Sequence, residues 1–321
     1  MATYLRPEVK FDKVFGRSGL EAIKSMDEAG DDIAQQRPKH HLTLSAAGVS
    51  RSQAPVCVID PIDGVSQARL SCEVEVMTEV PPDKRGIHMS RMSDRIARLS
   101  GSCFRDLQEY ASTLTEEIRV SQYGGATTTK VKTAYSYIEQ IPGRSPDKDK
   151  LSLETIGLRA TCSRTRHDEA QGAGVELTNI TACPCVQQTL RHARPDGVAA
   201  LPTLTHSQRC ETSFFVERIT GPLPLKQLLE SLDRLIVRTR NTLPREYEAL
   251  LVHRAHQDPQ FMEDVVRQVL AGGYHLLKDL FPESTLRVSS RCMESIHSFD
   301  INCEVEFRMR DLRDVFSSEQ R

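Results

Sequence analysis

The sequence predicts an α+β fold made of antiparallel sheet and paired helices, and three observations carry that reading. Stretches that alternate apolar and polar residues occur in both halves, apolar stripes at helical spacing lie between them, and the order strand–strand–helix–helix–strand–strand occurs twice. A chain of 321 residues is long enough for two such units.

Residues 1–40 are polar and weakly patterned, with the acidic run Asp27-Glu28-Ala29-Gly30-Asp31-Asp32, and read as a tail outside the core. The first unit is assigned to 41–167. In it Leu70, Cys72, Val74 and Val76 alternate with Ser71, Glu73 and Glu75, the period of a half-buried antiparallel strand, which Pro81-Pro82 ends. Met89, Met92, Ile96 and Leu99 then recur at helical spacing. A second helix carries Phe104, Leu107, Ala111, Leu114 and Ile118, with Ser102 as its expected cap and Gly124-Gly125 as its stop. The β-favouring stretches 127–141 and 152–164 follow, joined by a turn-rich segment at 142–147.

The second unit, 168–321, repeats this order. Strands are expected near 174–181 and 209–219, then a helix with Leu225, Leu228, Leu229, Leu232 and Ile236. A helix over 259–281 sets Phe261, Val265, Val269 and Leu276 on one stripe. Strands at 285–292 and 302–309 close the unit, the last alternating Cys303, Val305, Phe307 and Met309 with Glu304, Glu306 and Arg308. Each unit should form an antiparallel sheet with its helix pair on one face, and open sheet edges invite pairing with a second copy.

Composition narrows the function classes. The 42 Lys and Arg against 44 Asp and Glu leave a net charge of -2, which speaks against a dedicated nucleic-acid binder. No apolar run nears the roughly 20 residues that span a bilayer, and no secretory signal pattern follows Met1, so a cytoplasmic protein without a membrane partner is expected. The nine cysteines form no small-domain framework, and in a chain of this length disulfides are not needed for folding; most read as small buried hydrophobes.

The exception is Cys183-Pro184-Cys185, just past a predicted strand. By itself the pair reads as thiols at a strand end. His206, before the next strand, and His297, between the last two, change that reading: one thiolate and two imidazoles match the three-ligand pattern of a catalytic zinc-like site, with Glu248 as a candidate fourth donor. A second stretch, 80–91, gathers Lys84, Arg85, His88, Ser90 and Arg91 around a glycine turn at a helix start. It reads either as an anion site, fit for phosphates, or as a solvated basic turn. No standard nucleotide loop is present.

Five words then occur in order: Pro-Pro-Asp-Lys-Arg-Gly-Ile-His-Met-Ser-Arg at 81–91, Cys-Pro-Cys at 183–185, His-Ser-Gln-Arg at 206–209, Asp-Pro-Gln-Phe-Met-Glu-Asp at 258–264 and Glu-Ser-Ile-His at 294–297. Over about residues 40 to 310 the chain resembles the type IB GTP cyclohydrolases, a metal-dependent family. The resemblance implies a tunnelling fold with two tandem modules per chain and a barrel-like homotetramer with active sites between subunits. It implies Cys183, His206 and His297 as metal ligands, with Glu248 matched through the degraded word Leu243-Pro244-Arg245-Glu246-Tyr247-Glu248. Glu294 matches the acid that anchors the purine. The link from Cys183 to His206 departs from the family by extra residues, Arg194-Pro195-Asp196-Gly197 among them.

The activity so implied is hydrolysis of GTP to 7,8-dihydroneopterin triphosphate and formate, the entry to folate and other pterins, with one divalent ion per site: Zn²⁺, Mn²⁺ or Fe²⁺. Cys183 and His88 are the expected catalytic residues, the latter for proton transfer or as a phosphate contact. Lys84, Arg85, Ser90 and Arg91 are expected at the triphosphate. Two alternatives stand beside this: a relative releasing a cyclic phosphate or feeding another pathway from GTP, and a non-catalytic binding protein that keeps a closed structural metal.

Overall fold

The computed structural model describes residues 32–141, 150–193 and 203–318. Most of the expected leader, the 142–147 turn and the Arg194–Gly197 insertion lie outside the described residues. The elements run β1 (Leu44–Ile59), β2 (Gln67–Val80), α1 (Met89–Leu99), β3 (Cys103–Phe104), α2 (Leu107–Ser121), β4 (Thr127–Ile141), β5 (Lys150–Arg164) and β6 (Glu169–Ala182). They continue as α3 (Pro184–Ala193), β7 (Ser207–Glu217), α4 (Leu225–Leu235), β8 (Val237–Arg238), α5 (Arg245–Gln257), α6 (Met262–Leu277), β9 (Thr285–Met293), β10 (Asp300–Arg308) and α7 (Met309–Ser318).

All these strands form one sheet in the order β10-β9-β7-β6-β5-β4-β2-β1-β3, with β8 paired to β6. Every long pair is antiparallel, and only the two-residue β3 runs parallel to β1. The strands assigned by sequence to two units are therefore continuous: β5 pairs with β6 from Gly157↔Glu176 to Arg164↔Glu169. Thr165 N–H donates to the Asp168 carbonyl at 2.8 Å and closes the hairpin between them.

Period-two patterning puts one face of this sheet under helices. In β2, Leu70, Cys72, Val74 and Val76 are buried, while Ser71, Glu73 and Glu75 lie on the other face. α1 brings Met92, Ile96 and Leu99, α2 brings Leu107, Ala111, Leu114 and Ile118, and α4 and α6 bring Leu228, Leu232, Val265 and Val269 to the same continuous core. The opposite face is polar and laced by cross-strand pairs such as Lys130–Glu75 at 2.8 Å and Lys132–Glu73 at 3.0 Å, exposed contacts that contribute little individually.

Several boundaries differ from the sequence reading. Ser102 does not cap α2, because Cys103 and Phe104 pair with β1 as a strand; the cap is Asp106, whose Oδ1 accepts from Glu109 N–H at 2.8 Å. α6 starts at Met262, leaving Phe261 as a 44% exposed cap residue. The last strand ends at Arg308, and Met309 opens α7 instead. α3, α5 and α7 were not anticipated; α5 buries only Ala255, so it carries no apolar stripe to read.

The cysteine expectation is corrected in part. Register sets Cys57 opposite Cys103 and Cys210 opposite Cys292, and both pairs are disulfides. Spacing along the chain could not reveal these long-range neighbours. Cys72 and Cys162 are buried free thiols as expected, and burial pushes the Cys72 thiol up to about 11.

Gly273, inside α6, marks the tightest helix-to-sheet approach. A Cβ there would stand 2.2 Å from Cε2 of Phe214, which is 1% exposed. Gly273→Ala should therefore lower unfolding free energy by about 1–3 kcal/mol in denaturant titration, despite alanine's better helix propensity. Stabilisation instead would mean that α6 does not press on Phe214.

Candidate active site

β6 ends at Ala182, paired with Ser207, and the ladder runs one rung further: Cys183 N–H donates to the His206 carbonyl at 3.0 Å. The chain then turns directly into a helix, because Pro184 is suited to a first helical position, where no N–H is needed. The Cys183 carbonyl accepts from the Thr205 hydroxyl at 2.7 Å and from Gln187 N–H at 3.4 Å. The expected excursion between Cys183 and His206 thus includes a regular helix, α3.

Side-chain alternation assigns a face to each residue. Asn179 and Thr181 in β6, Cys210 and Thr212 in β7, and Ser290 and Cys292 in β9 are buried on the helix-covered face. By the same parity Cys183, His206 and Glu294 fall on that face, at the end of three adjacent strands. Beneath them Thr181 Oγ1 lies 3.9 Å from Cys210 Sγ and 3.8 Å from Cys292 Sγ, and Met262 and Cys303 pack on that pair.

The 294–299 turn joins β9 to β10 at this same end. Its Ser295 hydroxyl is 3.2 Å from His206 Nδ1, which ties the turn to the histidine. Glu294 is half-buried; His297 is exposed and stacks on Phe299 with ring centroids 5.1 Å apart. Glu248 sits exposed in the first turn of α5. Among the described residues, no three His, Cys, Asp or Glu side chains stand close enough to hold a metal ion. One chain places Cys183, His206 and the Glu294–His297 turn at the same end of the sheet without closing them, or Glu248, into a three-donor cluster among the described residues.

The 80–91 stretch is built differently from expectation. His88 is buried at the N-cap position of α1, and its backbone is clamped by Gln122: His88 N–H donates to Oε1 at 2.9 Å, and Nε2 donates back to the His88 carbonyl at 3.2 Å. Residues 32–36, assigned to the tail, dock on this stretch. Arg85 and Gly86 N–H donate to the Ala34 carbonyl at 3.0 and 3.2 Å, Arg85 Nη1 donates to Gln36 at 3.2 Å, and Arg91 pairs with Asp32 at 3.4 Å. Lys84 pairs with Asp83 at 3.4 Å, and Ser90 is exposed. Burial first, then the Arg91 charge, lowers the His88 pKa, with Asp32 opposing both.

Strand direction separates the two regions. The basic stretch follows β2, at the end of the sheet where β4 starts opposite Thr78, β5 stops at Arg164 and β6 starts at Glu169. Cys183 follows the far end of the 14-residue β6. At about 3.3 Å per residue the two lie on the order of 40 Å apart, more than one nucleotide spans. Sequence reading missed Asp32, Gln122, Tyr123, Thr205 and Ser295. Asp32 was concealed in an acidic run and Ser295 inside the Glu-Ser-Ile-His word, and Gln122, Tyr123 and Thr205 carry no motif.

The family described as "Type I GTP cyclohydrolase folE2" matches residues 31–302. The chain is 24% identical over 292 residues to GTP cyclohydrolase MptA of Thermoplasma acidophilum, covering 88% of this chain and 96% of that one. It is 28% identical over 302 residues to GTP cyclohydrolase MptA of Korarchaeum cryptofilum, covering 91% and 97%. Among solved structures, the uricase of Arthrobacter globiformis aligns over 82% of this chain and 93% of its own with a TM-score of 0.44 and 11% identity.

Gln122→Ala removes the clamp and leaves the buried His88 N–H without its acceptor. A loss of about 1–3 kcal/mol in unfolding free energy is expected from denaturant titration, against near-neutrality if water replaces the amide.

Proposed function

The chain belongs to the type I GTP cyclohydrolase family, and from that premise we propose that it is a type IB enzyme hydrolysing GTP to 7,8-dihydroneopterin triphosphate and formate. The observation that carries the reading is the end of the β6–β7–β9 ladder, where Cys183 faces His206 on the side that also takes Glu294. A thiolate and an imidazole on facing strand ends, with a second imidazole on the adjoining turn, are donors suited to one Zn²⁺, Mn²⁺ or Fe²⁺. Cys183, His206 and His297 would hold the ion, with Glu248 or water completing the set. When bound, it supplies Lewis acidity that makes water a stronger nucleophile near neutral pH.

The chain's own groups account for binding and orientation. The Glu294 carboxylate accepts from the guanine N1–H and 2-amino group, which directs C8 towards Cys183 and His206. Hydrolysis at C8 opens the imidazole ring, a second hydrolysis releases C8 as formate, and the ribose carbons close the pterin ring with loss of water. Lys84, Arg85, Ser90 and Arg91 hold the triphosphate, where several cations are needed to balance its charge.

Because the basic stretch and the Cys183 end lie at opposite ends of one sheet, a complete site takes the two regions from different copies. The proposed assembly is a homotetramer of tunnelling-fold chains, each with two tandem modules, 41–167 and 168–321, residues 32–36 joining the first. A cytoplasmic location fits this chemistry; among the described residues no helix is long and apolar enough to cross a membrane.

Metal-depleted protein incubated anaerobically with GTP, then with each metal singly, tests the activity. Dihydroneopterin triphosphate and formate should appear by mass spectrometry only after metal is restored. A cyclic-phosphate product would assign the alternative pathway, and intact GTP with every metal would overturn the enzyme in favour of a binding protein. Mixing tests the shared site: Cys183→Ala and Arg91→Ala are each expected to be inactive, and mixed oligomers of the two should regain turnover. Mixed oligomers that form and stay inactive would place both regions in one subunit's site.

A further inference from the structure

Gln187 is 1% exposed, and an amide buried to that extent needs partners for its polar atoms. It lies in α3, one turn past Cys183, where its backbone N–H donates to the Cys183 carbonyl at 3.4 Å. Its side-chain Nε2 donates to the Thr203 carbonyl at 3.1 Å and to the His256 carbonyl at 2.6 Å. A carbonyl only accepts, so these partners set the orientation of the amide and use both of its N–H groups.

The partners lie on segments that carry the proposed metal donors. Thr203 stands in the stretch leading into His206, and Thr205 of that stretch donates to the Cys183 carbonyl at 2.7 Å. His256 is in the last turn of α5, the helix with Glu248 in its first turn. α5 buries only Ala255, so apolar packing does little to fix it. Polar contacts hold its C-terminal end instead. Arg254 Nη2 donates to the Asp233 and Arg234 carbonyls of α4 at 3.0 and 2.9 Å, and Gln187 holds the carbonyl of His256.

We propose that Gln187 is a positioning residue of the donor set: one amide joins the Cys183 helix, the approach to His206 and the end of α5 into a single unit, which sets how tightly the ion is held. The inference rests on the metal reading proposed above.

The side-chain bonds of Gln187 go to main-chain carbonyls and not to a proposed donor atom, so it acts on the donors through the backbone. The Cys183 N–H rung fixes the two strand ends to each other. It does not fix where α3 goes next or how far α5 stands from it. Among the described residues the donors stand open, so binding must order them, and that ordering opposes affinity. Segments already joined to one another have less freedom left to lose. Methionine at 187 would fill a similar volume without an N–H and leave both carbonyls without their donor.

Cobalt(II) titration of full-length Gln187→Met, read by the thiolate charge-transfer band, tests the proposal alongside denaturant unfolding of the metal-free protein. The dissociation constant should rise about tenfold or more, with the band itself retained at saturation. Unchanged affinity, with or without a loss of stability, would overturn the proposal. Arg191→Ala removes a 3.4 Å contact to the Thr203 hydroxyl from the same helix and should keep wild-type affinity. An equal loss there would also overturn the proposal, because any loosening of α3 would then suffice. Hydrogen exchange on the wild type gives a second reading that needs no variant. Zn²⁺ should slow exchange in α3, in 203–206 and at the C-terminal end of α5 together; protection that leaves α5 unchanged would overturn the single unit. A wild type that takes up no cobalt overturns the metal reading and this proposal with it, whereas unchanged affinity in Gln187→Met beside a cobalt-binding wild type overturns this proposal alone.

Discussion

The site depends on one main-chain hydrogen bond, from Cys183 N–H to the His206 carbonyl, the last rung of the β6–β7 ladder. Antiparallel register determines which side chains share a face, and a slip of one residue would move Cys183 or His206 to the polar face. That register is secured by what lies under it. Asn179, Thr181, Cys210, Thr212, Ser290 and Cys292 are buried in the neighbouring positions, and the Thr212 hydroxyl reaches Asn179 at 2.7 Å and Ser290 at 3.0 Å. The Cys210–Cys292 disulfide joins β7 to β9 just inside His206 and Glu294. The candidate residues are thus attached to paired strand ends, which would favour a stable geometry for the proposed donors.

Sequence periodicity made most of the sheet legible because one face is buried and the other wet. β2 shows this most directly, its buried valines alternating with half-buried glutamates. The same logic fails where burial is weak: α5 has a single buried residue, and nothing in its pattern announced a helix. It also fails where long-range pairing overrides local preference, as when β1 recruits Cys103 and Phe104 as a strand and moves the α2 cap to Asp106. The continuity of the sheet across β5 and β6 is a further long-range property, invisible to a reading that looks for units one at a time.

The candidate site was legible as words and not as geometry. Cys183, His206 and Glu294 share a face and an end of the sheet because their strands are neighbours. His297 shares the turn of Glu294 but stacks on Phe299, and Glu248 is exposed in the first turn of α5. The basic stretch reads in sequence as an anion site or a solvated basic turn, and in the structure Asp32, Ala34 and Gln36 engage Arg91 and Arg85 there. The segment that does this was assigned to a polar tail because it has no apolar pattern; its contacts are hydrogen bonds and ion pairs, which periodicity does not register. Antiparallel topology also puts the two regions at opposite ends of the sheet, which is why the proposed reaction calls on different copies for them.

Cobalt(II) loading followed by absorption spectroscopy tests the central claim most directly. The account predicts a thiolate-to-metal charge-transfer band in the wild type that is lost in Cys183→Ala, retained in Cys185→Ala and perturbed by GTP. A band that survives in Cys183→Ala, or no band at all, would contradict a metal held at the end of the β6–β7 ladder.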